Sequence, residues 1–287
     1  MSAKRDLLSI TDFTPTETRQ IIRRAKEGKG TTSTLPLQGK KVALLFEKPS
    51  LRTKVSFQVG IEELGGYSVY LSEQEVGLGG RESVSDIARV LSGYVDCIIA
   101  REFSHTVLEE LAAYASVPVI NALSDREHPC QILADVLTIT EQKGDMNGLK
   151  LAYIGDGNNV ARSLCLGLPP LGMSFTIASP KGYQLDDATL NSGFDTSEGG
   201  ADRVQAMLDP AQAVQRADLV YTDVWASMGD EHEAGIRMEA FQGYTVNPHL
   251  LSLAKPDANF MHDMPAHYGE EVSEGMLEHP RSLAYQQ

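Results

Sequence analysis

The sequence predicts an α/β fold made of two doubly wound parallel-sheet domains with an inter-domain cleft, and three observations predict it. Short apolar runs of strand length alternate with longer stretches of helical period, the pattern of parallel strands joined by helices. The length of 287 residues suits two domains that each bury a core, at roughly 100–200 residues per domain. A polar, glycine-bearing stretch, Lys143-Gly144-Asp145-Met146-Asn147-Gly148, divides the chain near its middle and gives domains of residues 1–143 and 148–287.

The elements follow in order. Apolar runs at Val42–Phe46, Val95–Ala100, Val117–Ile120, Leu149–Ile154, Phe175–Ala178, Leu219–Tyr221 and Asn259–Met261 predict at least seven strands. A helix opens near Ser50. Another begins near Pro129, where proline suits a first helical position, and carries the apolar stripe Ile132, Leu133, Val136 and Leu137. Gly155-Asp156-Gly157-Asn158-Asn159 punctuates a strand-to-helix turn, and the glycines between Asn191 and Gly200 predict a surface loop. No internal repeat is visible.

Composition narrows the function. Lys and Arg number 25 against 39 Asp and Glu, a net charge of −14, so the summed field repels nucleic acid and anionic membrane surfaces. Neither is an expected partner. A small anionic substrate must instead be captured by a local cluster of Arg, Lys or backbone N–H groups. Hydrophobic content of 42% with 22% charged residues is ordinary for a globular chain, and no apolar run reaches the roughly 18 residues of a membrane helix. The start, Met1-Ser2-Ala3-Lys4-Arg5-Asp6, lacks the apolar segment of a secretory signal, so a cytoplasmic location is expected. Cys97, Cys130 and Cys165 are odd in number and widely spaced, which fits neither a disulfide framework nor a zinc site. Reduced thiols packed in the core are expected.

Ligands of open parallel sheets gather at the carboxyl ends of strands, so the residues after each run are the candidates for chemistry. The first half offers cations and neutral donors there: Ser50-Leu51-Arg52-Thr53 opening a helix, then Arg101, then His128-Pro129-Cys130-Gln131. Two hydroxyls, a guanidinium and free N–H groups at a helix N-terminus make a phosphate site; a simple cap at Ser50 and a surface ion pair at Arg52 are the alternative. His128 can polarise a carbonyl oxygen while the Gln131 amide bonds an adjacent NH₂, as a carbamoyl group requires; a capping histidine is the alternative. The second half offers carboxylates and amides. Gly155-Asp156-Gly157 has Val160 where a dinucleotide fingerprint needs its third glycine, so that match is poor, whereas Asn158 and Asn159 can bind a carboxylate. Asp223 is a candidate for an ammonium group, with Ser227 four residues on, or else a helix cap. Asp263 beside His262 can form an acid–base pair, or else a turn before Pro265.

Four motifs in this order, Phe46-Glu47-Lys48-Pro49-Ser50-Leu51-Arg52-Thr53, His128-Pro129-Cys130-Gln131, Asp223-Val224-Trp225-Ala226-Ser227-Met228-Gly229 and His262-Asp263-Met264-Pro265-Ala266-His267, resemble the aspartate/ornithine carbamoyltransferase family. The resemblance runs over essentially the whole chain. It implies a carbamoyl-phosphate domain followed by an amino-acid domain, an active site in the cleft between them, and a homotrimer. It implies that Ser50, Leu51, Arg52, Thr53 and Arg101 hold the phosphate while His128 and Gln131 grip the carbamoyl group. Asn159 would bind an ornithine α-carboxylate, and Asp223, Ser227 and Met228 its α-amino group, with Asp263 and Met264 completing the amine site. No metal or redox cofactor is implied. Three departures accompany the match: the family's His-Cys-Leu-Pro signature reads His262-Asp263-Met264-Pro265, a family glutamine that reaches a neighbouring subunit aligns with Gly77, and family members continue past Gln287 into a C-terminal helix carrying an arginine, which the second domain is expected to lack.

Overall fold

In the computed structural model of the chain, residues 4–30, 35–77, 80–195, 203–226 and 233–287 are described, and the chain divides into two compact units, Met1–Cys130 and Gln131–Gln287. The first unit holds four parallel strands, β1 (Lys41–Phe46), β2 (Tyr67–Ser72), β3 (Cys97–Arg101) and β4 (Val119–Leu123), in the order β2-β1-β3-β4. Its helices are α1 (Pro15–Gly28), α2 (Leu51–Glu63), α3 (Glu73–Val76), α4 (Val84–Ser92) and α5 (His105–Tyr114). Central β1 is buried from Val42 through Phe46, as an inner strand covered on both faces must be. Its side chains alternate between two cores. Ala43 and Leu45 pack with Val84, Ala88, Leu108 and Leu111, while Val42, Leu44 and Phe46 pack with Ile61, Ile99 and Ala122. Leu7 covers the free edge of β4, donating its N–H to Val119 and accepting from the Asn121 amide at 2.9 and 2.8 Å.

The second unit holds five parallel strands, β5 (Lys150–Ile154), β6 (Ser174–Ala178), β7 (Val204–Met207), β8 (Leu219–Thr222) and β9 (Asn259–His262), in the order β7-β6-β5-β8-β9. With them run α6 (Pro129–Lys143), which starts at the boundary, α7 (Asn159–Gly167), α8 (Asp187–Asp195), α9 (Pro210–Ala213), α10 (Ala234–Ala240) and α11 (Pro248–Ser252). The core joins Ala152, Ile154, Val220 and Phe260 of the sheet to Phe241, Leu251, Val272 and Met276. The outer edge of β9 is closed by the C-terminal segment, through Phe260 N–H to Arg281 at 2.9 Å and Leu283 N–H to Phe260 at 2.8 Å. No helix among the described residues is long and apolar enough to cross a membrane.

The expected alternation holds, with three corrections of detail. β2 and β7 escape the apolar-run criterion because each is a sheet edge with a partly wet face, and Ser68, Ser72 and Gln205 interrupt their patterns. The loop expected from Asn191 to Gly200 is helical as far as Asp195, the rest lying outside the described residues. The reason is packing: a Cβ on Gly193 would stand 2.9 Å from the Cys165 carbonyl and thiol, so this glycine lets α8 approach α7. On α6 the buried face is Ile132, Asp135, Val136, Thr138 and Ile139, offset from the predicted stripe, with Leu133 and Leu137 half-buried.

Each sheet reverses its winding once. From β1 the chain moves outward to β2, then crosses back to β3; from β5 it moves through β6 to β7, then crosses back to β8. The carboxyl ends of β1 and β3, and of β5 and β8, therefore frame the two switch points at which open parallel sheets leave a crevice.

Candidate functional site

At the first switch point, Ser50 caps α2 in extended conformation, its Oγ accepting from the Thr53 amide at 3.4 Å. The same hydroxyl donates to Thr53 Oγ1 at 3.0 Å, and Thr53 Oγ1 accepts from Arg101 Nη1 at 3.2 Å. The cap thus fixes the hydroxyls at the positive end of a helix whose first N–H groups have no intrahelical partner. Leu51 is 76% exposed, and Arg52 is exposed without a hydrogen-bond or ion-pair partner among the described residues. Arg101 ends β3 and is only 8% exposed. Between Ala100 and Arg101 the register with β4 slips by one residue, a bulge that re-aims the guanidinium at the strand end. The Arg101 carbonyl in turn accepts from the Glu47 and Lys48 amides at 3.0 and 3.2 Å, tying the loop before α2 to β3. His128 is buried just before α6; its burial, with Arg101 and Lys48 nearby, pushes the imidazole down to about 3, so it is neutral at physiological pH and still carries one ring N–H. Cys97 and Cys130 are half-buried and Cys165 buried, and burial pushes all three thiols up to about 12.

At the second switch point, Gly155 has φ of 149° and Gly157 donates to the Tyr183 carbonyl at 2.7 Å. A Cβ on Gly157 would stand 2.4 Å from the Leu185 nitrogen. The protein's own backbone fills the space that a pyrophosphate would need beside that glycine, which removes the dinucleotide reading. Asn158 caps α7, its Oδ1 accepting from the Val160 and Ala161 amides at 3.0 and 3.1 Å, and its Nδ2 donates to Asp223 Oδ2 at 2.6 Å. Asn159, half-buried, is the first residue of α7. Asp223 follows β8 and is 6% exposed; its Oδ1 accepts from the Val224 amide at 2.7 Å, and residues 223–226 are not helical, so it caps no helix there. Gln131 donates through Nε2 to Asp135 Oδ1 at 3.0 Å. Ser227 and Met228 lie outside the described residues.

Asp263 follows β9, and its carboxyl lies within 4.8 Å of that of Asp223. Burial first, then the neighbouring charge of Asp223, holds Asp263 well above the usual carboxylate range. Its Oδ1 is buried without a hydrogen-bond partner. His262 orients this segment: its Nδ1 accepts from the Met264 amide at 2.9 Å, which leaves Nε2 to carry the hydrogen toward Glu271 Oε1 at 3.1 Å. Both ring nitrogens are therefore engaged, and the Asp223, His262 and Asp263 group does not fit a metal. His267, Glu270 and Glu271 also converge within 4.8 Å, but Glu271 Oε1 is already shared by His262 and the His267 amide. Met264 has φ of 62°, a left-handed backbone that costs a non-glycine residue roughly 1–2 kcal/mol and is concentrated at functional sites.

Two family models match the chain, one described as the carbamoyl-phosphate-binding domain of aspartate/ornithine carbamoyltransferase over residues 5–141, the other as its aspartate/ornithine-binding domain over residues 147–287. The chain belongs to the aspartate/ornithine carbamoyltransferase family. A relative from Anoxybacillus flavithermus named ornithine carbamoyltransferase is 47% identical over 288 residues, 99% of this chain and 91% of that one. The solved ornithine carbamoyltransferase of Pyrococcus furiosus has a TM-score of 0.94 and 45% identity, covering 99% of this chain and 92% of that chain. That of Thermus thermophilus has a TM-score of 0.88 and 42% identity, covering 98% and 92%.

Several residues around the two switch points escape sequence reasoning. Asp135 sits in the apolar stripe of α6, fully buried, its Oδ2 accepting from Tyr221 Oη at 3.1 Å. Burial pushes it up to about 7. Gln287 donates to Tyr221 Oη at 2.8 Å and accepts from the His262 amide at 3.0 Å. Glu102, beside Arg101, is fully buried and, through burial and the nearby Glu47 carboxyl, pushed up to about 9. A charged or amide residue inside an apolar period was the available signal for Asp135; nothing in the sequence marks Gln287. Gly77 closes α3 with φ of 61°, a backbone that a glutamine adopts only under strain.

Proposed function

We propose that this chain transfers the carbamoyl group from carbamoyl phosphate to the δ-amine of L-ornithine, giving L-citrulline and phosphate. The observation that carries the reading is the contrast between the switch points in a chain of this family: cations and a helix N-terminus at one, carboxyls and amides at the other. Ser50, Leu51, Arg52, Thr53 and Arg101 hold the phosphate, against the grain of a net charge of −14. His128, neutral through its burial, and Arg101 donate to the carbamoyl oxygen and stabilise the charge that develops there, and Gln131 holds the carbamoyl NH₂. Asn159 takes the α-carboxylate; Asp223, with Ser227 and Met228, takes the α-ammonium; Asp263 and Met264 lie at the amine that reacts. The scheme needs no cofactor. Residues 1–143 then serve carbamoyl phosphate and 148–287 the amino acid.

The carboxyl at position 263 also supports a second reading, a carbamoyltransferase for another amine or a modified ornithine. Phosphate release from carbamoyl phosphate with ornithine, N-acetylornithine, N-succinylornithine, putrescine, lysine and aspartate separates the two. Release with ornithine and formation of citrulline is the expected result; release only with another amine overturns the ornithine assignment, and tight binding of carbamoyl phosphate without turnover on any amine would make the protein a carbamoyl-phosphate-binding partner. This reading places the enzyme in cytoplasmic citrulline and arginine metabolism, as amino-acid biosynthesis. We also propose a homotrimer. On α2, Leu51, Val55 and Val59 are 76%, 47% and 47% exposed, an apolar face that a second copy would cover. Light scattering should report three times the 31.2 kDa chain mass.

A further inference from the structure

Asp135 stands on the buried face of α6 with Ile132, Val136 and Ile139 and is itself fully buried. A carboxyl in that position is costly unless its oxygens are hydrogen-bonded, and both are. Oδ1 accepts from Gln131 Nε2 at 3.0 Å, and Oδ2 accepts from Tyr221 Oη at 3.1 Å. Gln131 lies one turn earlier on α6 and is half-buried. A Gln–Asp pair at this spacing steadies a helix equally well on an exposed face, so helix stability alone does not account for a carboxyl in the core.

The directions of these hydrogen bonds are set from β9. The His262 amide can only donate, and it donates to Gln287 Oε1 at 3.0 Å. That turns Gln287 Nε2 toward Tyr221 Oη, to which it donates at 2.8 Å. The Tyr221 oxygen thus accepts from Gln287, and its single hydrogen goes to Asp135 Oδ2. The Tyr221 ring is fully buried and stacked on Tyr153, with centroids 5.8 Å apart and planes at 22°, which holds Oη in place. Asp135 is therefore an acceptor toward both neighbours, and Gln131 must face it with Nε2. Gln131 Oε1 has no hydrogen-bond partner among the described residues and is left for a ligand.

We propose that Asp135 is a positioning residue that holds the Gln131 amide with its carbonyl oxygen toward the substrate, so that a carbamoyl NH₂ meets an acceptor and a methyl in its place does not; the proposal rests on the carbamoyl-transfer reading above. Tyr221 and Gln287 keep Asp135 in that role. Carbamoyl phosphate and acetyl phosphate share the phosphate, the bridging oxygen and the carbonyl oxygen, and differ only in NH₂ against CH₃. No contact at the phosphate tells them apart, so selection falls to whatever faces that one group. An amide turned the other way would set its own NH₂ against that of the substrate, donor against donor, and the preference would be lost.

The test compares kcat/KM for carbamoyl phosphate with the inhibition constant of acetyl phosphate competing for the same site, at saturating ornithine, for wild type, Asp135→Asn, Gln131→Leu and the double variant. At pH 8.5 the Asp135 carboxyl, pushed up by burial to about 7, is ionised in the wild type. Asparagine fills the same space but brings a donor, so the Gln131 amide loses its fixed orientation. Asp135→Asn should lower kcat/KM for carbamoyl phosphate by about 10-fold, while inhibition by acetyl phosphate stays within about two-fold of wild type. In the Gln131→Leu background the same change should add no further loss, because it acts through Gln131. Should the asparagine variant not fold, Tyr221→Phe removes the donor to Asp135 Oδ2 while keeping the ring stack, and it should shift the same ratio in the same direction. A loss shared equally by carbamoyl and acetyl phosphate, an unchanged ratio, or a further loss in the Gln131→Leu background overturns the proposal while leaving carbamoyl transfer intact. A wild type that makes no citrulline from carbamoyl phosphate and ornithine overturns the underlying reading instead.

Discussion

Arg52 and Arg101 carry the same charge under opposite constraints. Arg101 is nearly buried, aimed by a bulge and held to Thr53, whereas Arg52 stands exposed on the first turn of α2 without a partner among the described residues. An exposed guanidinium that binds none of the described residues is available to a ligand, and removing it should not disturb the fold. Arg52→Ala should therefore lower kcat/KM for carbamoyl phosphate by about 100-fold, the worth of one or two charge-assisted hydrogen bonds at about 1.5–3 kcal/mol each. The melting temperature should stay within about 1–2 °C of wild type, since exposed, unpartnered substitutions change stability by no more than about 0.5 kcal/mol. Steady-state kinetics and a thermal melt on one preparation check both halves, and near-normal turnover would remove the phosphate assignment. Asp156 is the converse case. It pairs with Arg237 at 2.7 Å with both side chains nearly buried, and Arg237 also donates to the Trp225 carbonyl at 2.7 Å. Asp156→Ala removes the shorter of the two carboxylate contacts of a nearly buried cation and should cost about 3 kcal/mol by urea unfolding. An unchanged midpoint would show that Glu233, 3.1 Å from Arg237 Nε, suffices alone.

Element by element, the sequence was most legible where a segment is buried on both sides and least where it lies at an edge. β1, β3, β5 and β8 are inner strands and read as unbroken apolar runs; β2 and β7 are outer strands whose polar residues hide them. The positions of the candidate residues at the strand ends were legible for the same reason, since a run of Val, Ile, Leu and Phe marks where its carboxyl end must be. Asp135 and Gln287 were not visible, because each is defined by a tertiary partner, Tyr221, rather than by a local pattern. Glycine shows the same limit. Gly157 and Gly193 look like turn punctuation, yet each is small because another backbone passes within 3 Å of where a Cβ would be, at 2.4 Å from Leu185 and 2.9 Å from Cys165. Gly60, inside α2, has nothing within 4 Å. Opposite outcomes follow for one methyl group. Gly157→Ala should destabilise by about 1–3 kcal/mol or more, because the neighbour is backbone and cannot turn aside. Gly60→Ala should stabilise by about 0.5–1 kcal/mol through reduced freedom of the unfolded chain. Paired unfolding curves test this, and equal shifts would contradict the packing argument.

Across the whole molecule, the buried ionisable groups set how stability varies with pH, and they pull in opposite directions. The His128 imidazole is held down at about 3, so between that pH and its ordinary 6.5 the unfolded chain binds a proton that the native chain refuses, and stability rises with pH. Asp135, pushed up to about 7 from 3.8, does the reverse across that interval: the native chain keeps a proton that the unfolded chain has lost, and stability falls as pH rises. Glu102 falls in the same sense but over a wider interval, from 4.5 to about 9. By pH 7 the His128 contribution is complete and that of Asp135 is ending. Glu102 therefore dominates between pH 7 and 9. One proton corresponds to about 1.4 kcal/mol per pH unit, so the wild type should lose at least about 2 kcal/mol across that window. Glu102→Gln keeps the shape and hydrogen-bonding capacity of a neutral carboxyl but cannot ionise. Its urea midpoint at pH 7 should lie above wild type, and its decline from pH 7 to 9 should be shallower by close to one proton. Midpoints at pH 7, 8 and 9 and constant ionic strength decide the matter, for parallel lines would mean that Glu102 does not hold its proton, and that Arg101 is flanked by a carboxylate rather than by a neutral acid.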